Sequence, residues 1–247
     1  MKNLVFGALI ALAVSQAAGC IITSSDDTGN DAFITANWSL KSLASGTTAP
    51  CPPGYDTAAL YSQEVDANGN SIGAPIIDLF NCDAGHGTSA PLPPSTYVAW
   101  IEIADHTNST QYAKSTAANV DLTISDKSFN AAILVDGGYF QVAWNLVRAS
   151  NGGALLCSDV AGIGGVEAIS TEVATPTNSA SDIFHCEDHT GITGGFLSGS
   201  YTVHVDAINQ ANPPQSIGDA PDLTNKTIQS PNIVTNLGTV TIPITAL

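Results

Sequence analysis

The feature that most constrains the fold is that the chain states one pattern twice. In "FITANWSL", Ile34, Ala36, Trp38 and Leu40 alternate with polar residues; adding 106 lands on Phe140, Val142, Trp144 and Leu146 of "FQVAWNL". Cys51 plus 106 is Cys157. Further on, "SQEV" at 62–65 meets "STEV" at 170–173. "DLFNC" at 78–82 then meets "DIFHC" at 182–186, and "STYVAWIE" at 95–102 meets "GSYTVHVD" at 199–206, both at an offset of 104. An offset that drifts by only a few residues indicates a tandem duplication with small changes in loop length. Each copy is about 100 residues, the usual size of one domain.

The period-two alternation of "FITANWSL", "YVAWIEI", "FQVAWNL" and "YTVHVDA" is that of strands with one buried face. "DANGN" at 66–70 carries Asn68-Gly69, a pair that tolerates positive φ and turns a hairpin. Its glycine comes too early for a helix-flanked calcium loop. The mature chain has no apolar helical stripe with caps. The pattern therefore predicts an all-β fold of two tandem antiparallel Greek-key β-sandwiches, over residues 32–137 and 138–247.

"LPPSTYVAW" and "LSGSYTVHV" resemble the turn and strand found in immunoglobulin-like, fibronectin-like and transthyretin-like exported domains. The resemblance implies that Tyr97 and Tyr201 anchor a corner of each sandwich through the phenol hydroxyl. It covers one short segment per copy and carries no activity.

The first residues are an address. "MKNLVFGALIALAVSQAAGC" joins a basic start at Lys2 to an apolar run from Leu4 to Val14 and then small residues, as in a secretory signal peptide over residues 1–19. Such a run is shorter than the ~20 apolar residues a spanning helix needs. Ala17-Ala18-Gly19-Cys20 resembles a bacterial lipobox, with Ala17 where leucine is usual, and implies diacylglyceryl lipidation of Cys20. Residues 21–31, "IITSSDDTGND", are polar and acidic and read as a tether reaching at most ~38 Å. Ile21, which is not Asp, makes the resemblance point to the outer membrane.

Five cysteines in an exported chain leave one unpaired, and lipidation of Cys20 accounts for it. Of the three pairings open to the remaining four, the duplication favours Cys51 with Cys82 and Cys157 with Cys186. That pairing bears on "DIFHCEDH" at 182–189, where four metal-binding residue types crowd together: an oxidised Cys186 offers no thiolate. His185 and His189 remain as metal candidates. They stand four apart and would need a loop, with Asp188 or His204, to converge on Zn²⁺. Asp83 with His86, and Glu187 with His189, are expected to pair at a strand end.

With 6 basic against 22 acidic residues, a net charge of −16 and a pI near 4.1, the surface repels phosphate backbones, so no nucleic-acid partner is expected. The chain lacks His-Glu-x-x-His, a Walker loop and the strict Gly-x-Gly-x-x-Gly dinucleotide fingerprint, and its Gly69-Asn70-Ser71-Ile72-Gly73 stands in the Asn68-Gly69 turn rather than between a strand and a helix. Glu64, Glu102 and Glu172 are carboxylates of a kind any acidic sandwich offers. Lys41, at a strand end, has Val147 as its copy-two counterpart, which argues against a duplicated Lys-Asn isopeptide bond. Trp38 and Trp144 fall on the apolar side of their strands and read as core. Trp100 falls on the more polar face, with His204 at its place in copy two, and these two are the candidate ligand contacts.

Together these readings describe an exported, lipid-anchored envelope protein without a cofactor or an enzymatic activity. It would serve as a binding or structural module for a protein or carbohydrate partner. An enzyme or accessory protein acting on envelope polymers, or a metal-binding envelope protein, are the alternatives.

Overall fold

A computed structural model describes residues 31–245. The signal peptide, Cys20 and nearly all of the tether lie outside the described residues. Within them the chain is built of strands and three short 3-10 turns, and no helix is long and apolar enough to cross a membrane.

Each half is a two-sheet sandwich. In the first, strand Ile34–Ser42 has Lys127–Leu134 along one side, with Thr47–Ala49 and His86–Thr88 along the other. The facing sheet runs Ile76–Asn81, Thr57–Val65, Thr96–Ala104, then Gln111–Lys114 and Ala118–Asp121 side by side along the last. The second half repeats this arrangement. Gly137–Arg148 lies beside Ile233–Ile244 in one sheet, and Ser179–Phe184, Ile163–Glu172 and Gly199–Asn209 lead into Ser216–Asp219 and Leu223–Ile228 in the other.

The pairing is antiparallel with one exception per half. The first and last strands run parallel, Ile34–Ser42 with Lys127–Leu134 and Gly137–Arg148 with Ile233–Ile244. A parallel pair needs a long crossover, and here the whole facing sheet supplies it. Tandem β-sandwiches are the architecture expected from the alternation; the parallel closure is an addition to it.

Alternation places the apolar sets inward. Ile34, Ala36, Trp38 and Leu40 are buried against Tyr97, Ala99, Ile101 and Ile103 in one core. Phe140, Val142, Trp144 and Leu146 are buried against Tyr201, Val203, Val205 and Ala207 in the other. The duplication extends to single hydrogen bonds. Trp38 Nε1 donates to the Cys82 carbonyl at 2.8 Å and Trp144 Nε1 to the Cys186 carbonyl at 3.0 Å. The Tyr97 hydroxyl donates to the Pro93 carbonyl and the Tyr201 hydroxyl to the Leu197 carbonyl, at 2.9 and 3.0 Å. Phe80 and Phe184 lean on Trp38 and Trp144. A Cβ at Gly87 or Gly191 would overlap those phenyl rings, so both positions need glycine.

Cys51 is bonded to Cys82 and Cys157 to Cys186, with Cα separations of 6.1 and 5.9 Å, ordinary for a disulfide.

The two halves meet at a polar joint. Asn232, buried and left-handed at φ 54°, accepts from the Leu134 amide at 2.6 Å and donates to the Lys114 carbonyl at 2.8 Å. Both partners belong to the first half. In the connection, the Asp136 carboxylate accepts from the Ser42 hydroxyl and the Leu43 and Ala44 amides at 2.6 to 3.0 Å. Burial works against the charge, yet the Ser42 hydroxyl and those amides hold the Asp136 carboxyl below its ordinary value.

Candidate functional site

The two copies diverge in chemistry on the outer face of the sheet centred on Thr96–Ala104 in the first half and Gly199–Asn209 in the second. Trp100 and Glu102 point outward from the central strand of the first half because Tyr97, Ala99, Ile101 and Ile103 take the inward positions. Tyr61 lies directly across from Trp100 and stacks on it, with centroids 5.0 Å apart and 8° between planes. From the strand on the other side, Lys114 sets its Nζ 4.1 Å from the indole centroid and 3.7 Å from Glu102 Oε1. The indole Nε1 donates to the same carboxylate at 2.8 Å. Trp100 is thus held between an aromatic ring and a cation, with its N–H occupied, so its faces are not open for stacking a sugar.

In the second half the same register holds His204, Asp206 and Asp219 where the first holds Trp100, Glu102 and Lys114. His204 Nδ1 lies 2.8 Å from Asp222 Oδ1, and its Nε2 lies 3.6 Å from Asp219 Oδ1. Asp222 and Asp219 are exposed, and Asp206 is 5% exposed. Glu167 faces Asp206 from the adjacent strand and accepts a short hydrogen bond from the Ser181 hydroxyl. Burial pushes the Asp206 carboxyl above its ordinary value and the charge of Glu167 adds to the rise, while the Ser216 hydroxyl nearby donates to Asp219 Oδ1 at 2.6 Å. Burial pulls the His204 imidazole down, but the hydrogen bond to Asp222 and the charges of Asp206, Asp222 and Asp219 more than offset this and leave it raised.

"DIFHCEDH" forms something different. Cys186–Asp188 is a 3-10 turn with His185 extended before it and His189 left-handed after it. Cys157, Cys186 and Glu187 bring three potential ligand atoms together, but both sulfurs are spent in the disulfide. Neither His185 nor His189 joins a group of three potential ligands among the described residues. The strand-end acid–histidine pair is also corrected: His86 Nδ1 bonds the Ala84 carbonyl at 2.9 Å, while Asn81 Oδ1 accepts from the Asp83 amide. The tight turn after Cys82 brings a backbone oxygen to the ring before the acid reaches it.

At the joint, a cleft of about 500 Å³ draws Tyr112 and Lys114 from the first half and Gln141, Ile192, Ile233 and Val234 from the second. Ile192 and Ile233 are exposed apolar side chains there. Sequence reasoning missed this cleft because its two walls lie far apart along the chain.

No family model matches this chain, and no curated protein does. Among solved structures it resembles a leucine-rich repeat protein from Bacteroides thetaiotaomicron (13% identity, 86% of this chain and 26% of that chain, TM-score 0.35). It also resembles the minor pilin of Streptococcus agalactiae (14% identity, 87% and 98%, TM-score 0.31) and a shaft pilin of Lactobacillus rhamnosus GG (9% identity, 88% and 99%, TM-score 0.28). The chain spans about a quarter of the first of these. The β-sandwich assignment rests on this chain's own strand pairing.

Proposed function

We propose that the chain is an exported module of the cell envelope, anchored through lipid on Cys20, that binds rather than transforms its partner. The cleft between the two sandwiches is where it binds. The observation that carries this reading is the cleft's construction: apolar walls from both halves with a few polar groups at the rim, held in register by the buried Asn232. Junctions between domains are favoured places for ligands, and a mostly apolar cleft with a few placed polar groups suits a sugar ring or an extended peptide. A carbohydrate is the reading to test first, because Gln111 and Gln141 add hydroxyl-matching donors and acceptors beside Tyr112.

The test is a glycan array probed with the purified chain, followed by titration of the best binder. Ile233→Asp, which changes an exposed side chain, is expected to weaken binding at least ~10-fold while the thermal transition stays in place. Asn232→Ala, which frees the joint, should weaken binding as well. Undiminished binding by Ile233→Asp would show that the cleft is not the site.

A further inference from the structure

The structure assigns a metal site that the binding reading does not use: we propose that His204, Asp206 and Asp219 hold one divalent transition ion, Zn²⁺ being the best match. The two copies argue it between them. In the first half the outward carboxylate of Glu102 is satisfied by the indole N–H and by the Lys114 ammonium. In the second half Asp206 takes the place of Glu102, and the position of Lys114 is filled by Asp219, a second acid. The lysine has gone, and a negative charge stands where its ammonium was.

Asp206 shows the consequence. Its Oδ1 is closed off from solvent and has no hydrogen-bond partner, although the residue is 95% buried by its 5% exposure. A buried carboxylate oxygen without a donor carries a desolvation cost that folding tolerates only where something else meets it. Carboxylate oxygens of Asp206 and Asp219 and a ring nitrogen of His204 all lie within 4.8 Å of one another. A tetrahedral zinc with bonds of roughly 2.1 Å separates its ligand atoms by roughly 3.4 Å. The 3.6 Å between His204 Nε2 and Asp219 Oδ1 is already close to that spacing.

The histidine is also prepared as a ligand. An ionised carboxylate only accepts, so the 2.8 Å contact with Asp222 places the imidazole proton on Nδ1 and turns the Nε2 lone pair toward Asp219. A carboxylate behind a histidine is the usual support of a metal-bound imidazole. One imidazole with two carboxylates is a mixed nitrogen and oxygen set, which suits a borderline ion better than Ca²⁺ or Mg²⁺. Binding forms three coordinate bonds and displaces any proton held at Nε2 or on Asp206; no electron is transferred.

The full chain, with both disulfides intact and stripped by a chelator, is titrated with Zn²⁺ against a chromogenic indicator, with Ca²⁺ and Mg²⁺ in parallel. One Zn²⁺ per chain is expected, with Ca²⁺ and Mg²⁺ at least ~10-fold weaker. Asp206→Asn and Asp219→Asn should each weaken Zn²⁺ by at least ~10-fold, and Asp222→Asn, which acts only through the ring of His204, by ~10- to 100-fold. Asp219 is exposed, so its variant separates loss of a ligand from loss of the fold. Asp219→Lys restores the arrangement of the first half; it should abolish Zn²⁺ uptake while the thermal transition holds or rises. Zn²⁺ binding that survives Asp219→Asn and Asp206→Asn, binding lost instead in His185→Ala/His189→Ala, a preference for Ca²⁺, or no uptake at millimolar Zn²⁺ would each overturn the assignment.

Discussion

Replacing Trp144 with alanine is expected to remove about 3–5 kcal/mol from the second half, the range for deleting a buried tryptophan from a packed core. The side chain is 1% exposed, packs on Phe184 at 5.7 Å and gives its only N–H to the Cys186 carbonyl. Alanine leaves a cavity, while the Cys186 carbonyl keeps the His189 amide as a donor at 3.3 Å, so the loss is set mainly by the cavity. For a unit of about 100 residues this lowers the melting temperature by on the order of 20 °C. Trp144→Phe keeps most of the ring volume and loses the hydrogen bond, at about 1–2 kcal/mol. Calorimetry should show one transition moving and the other staying. A joint shift of both would mean that the halves unfold as one cooperative body, against the reading of two domains.

Loss of the second disulfide, in Cys157→Ser/Cys186→Ser, should destabilise the same half by about 3–4 kcal/mol. The bond closes a loop with a sequence separation of 29. On the chain-entropy account its absence enlarges the unfolded ensemble by that amount. Cys51→Ser/Cys82→Ser, with a separation of 31, should cost the first half nearly the same. Denaturant titration of each pair and of the quadruple variant tests this, with additivity to within about 0.5 kcal/mol expected for distant sites. A reductant that leaves both transitions unmoved would remove the disulfides from the account of stability.

The repeated core was legible because burial forces a short-range pattern. Trp38 and Trp144 sit among residues of period two, and the pairs Cys51 with Cys82 and Cys157 with Cys186 stand at matching places in the copies. Tyr97 and Tyr201 were legible because their acceptors, Pro93 and Leu197, are only four residues upstream. Parallel closure was not, since the partner of Ile34 is Lys127, and no local periodicity encodes so distant a pairing. The role of Trp100 was half legible. Alternation gave its face, but Lys114 comes from the short strand Gln111–Lys114, whose four residues carry too little pattern to fix a register.

The cluster at His204 was hidden for the same reason, with a bulge between Ala207 and Ile208 shifting the pairing that sets Asp219 across from Asp206. A signal did exist. Once the copies are aligned strand by strand, an acid stands at the place of Lys114, and replacing a cation by an anion beside a buried carboxylate asks for a new cation. "DIFHCEDH" misleads in the opposite sense, because residues crowded in sequence are spread around a turn.

The parallel pairing of first and last strands fixes how each half would carry a mechanical load. Two parallel neighbours begin at the same end of the sandwich, so the chain enters a half at one end and leaves it at the other. Tension between those points slides the two strands past each other, and the ladder hydrogen bonds are loaded together in shear, whereas an antiparallel terminal pair would open one bond at a time. Eight residue pairs share that load in the first half, from Ile34 with Lys127 to Lys41 with Leu134. Ten share it in the second. Each half is thereby shaped as a link that transmits tension along its strands.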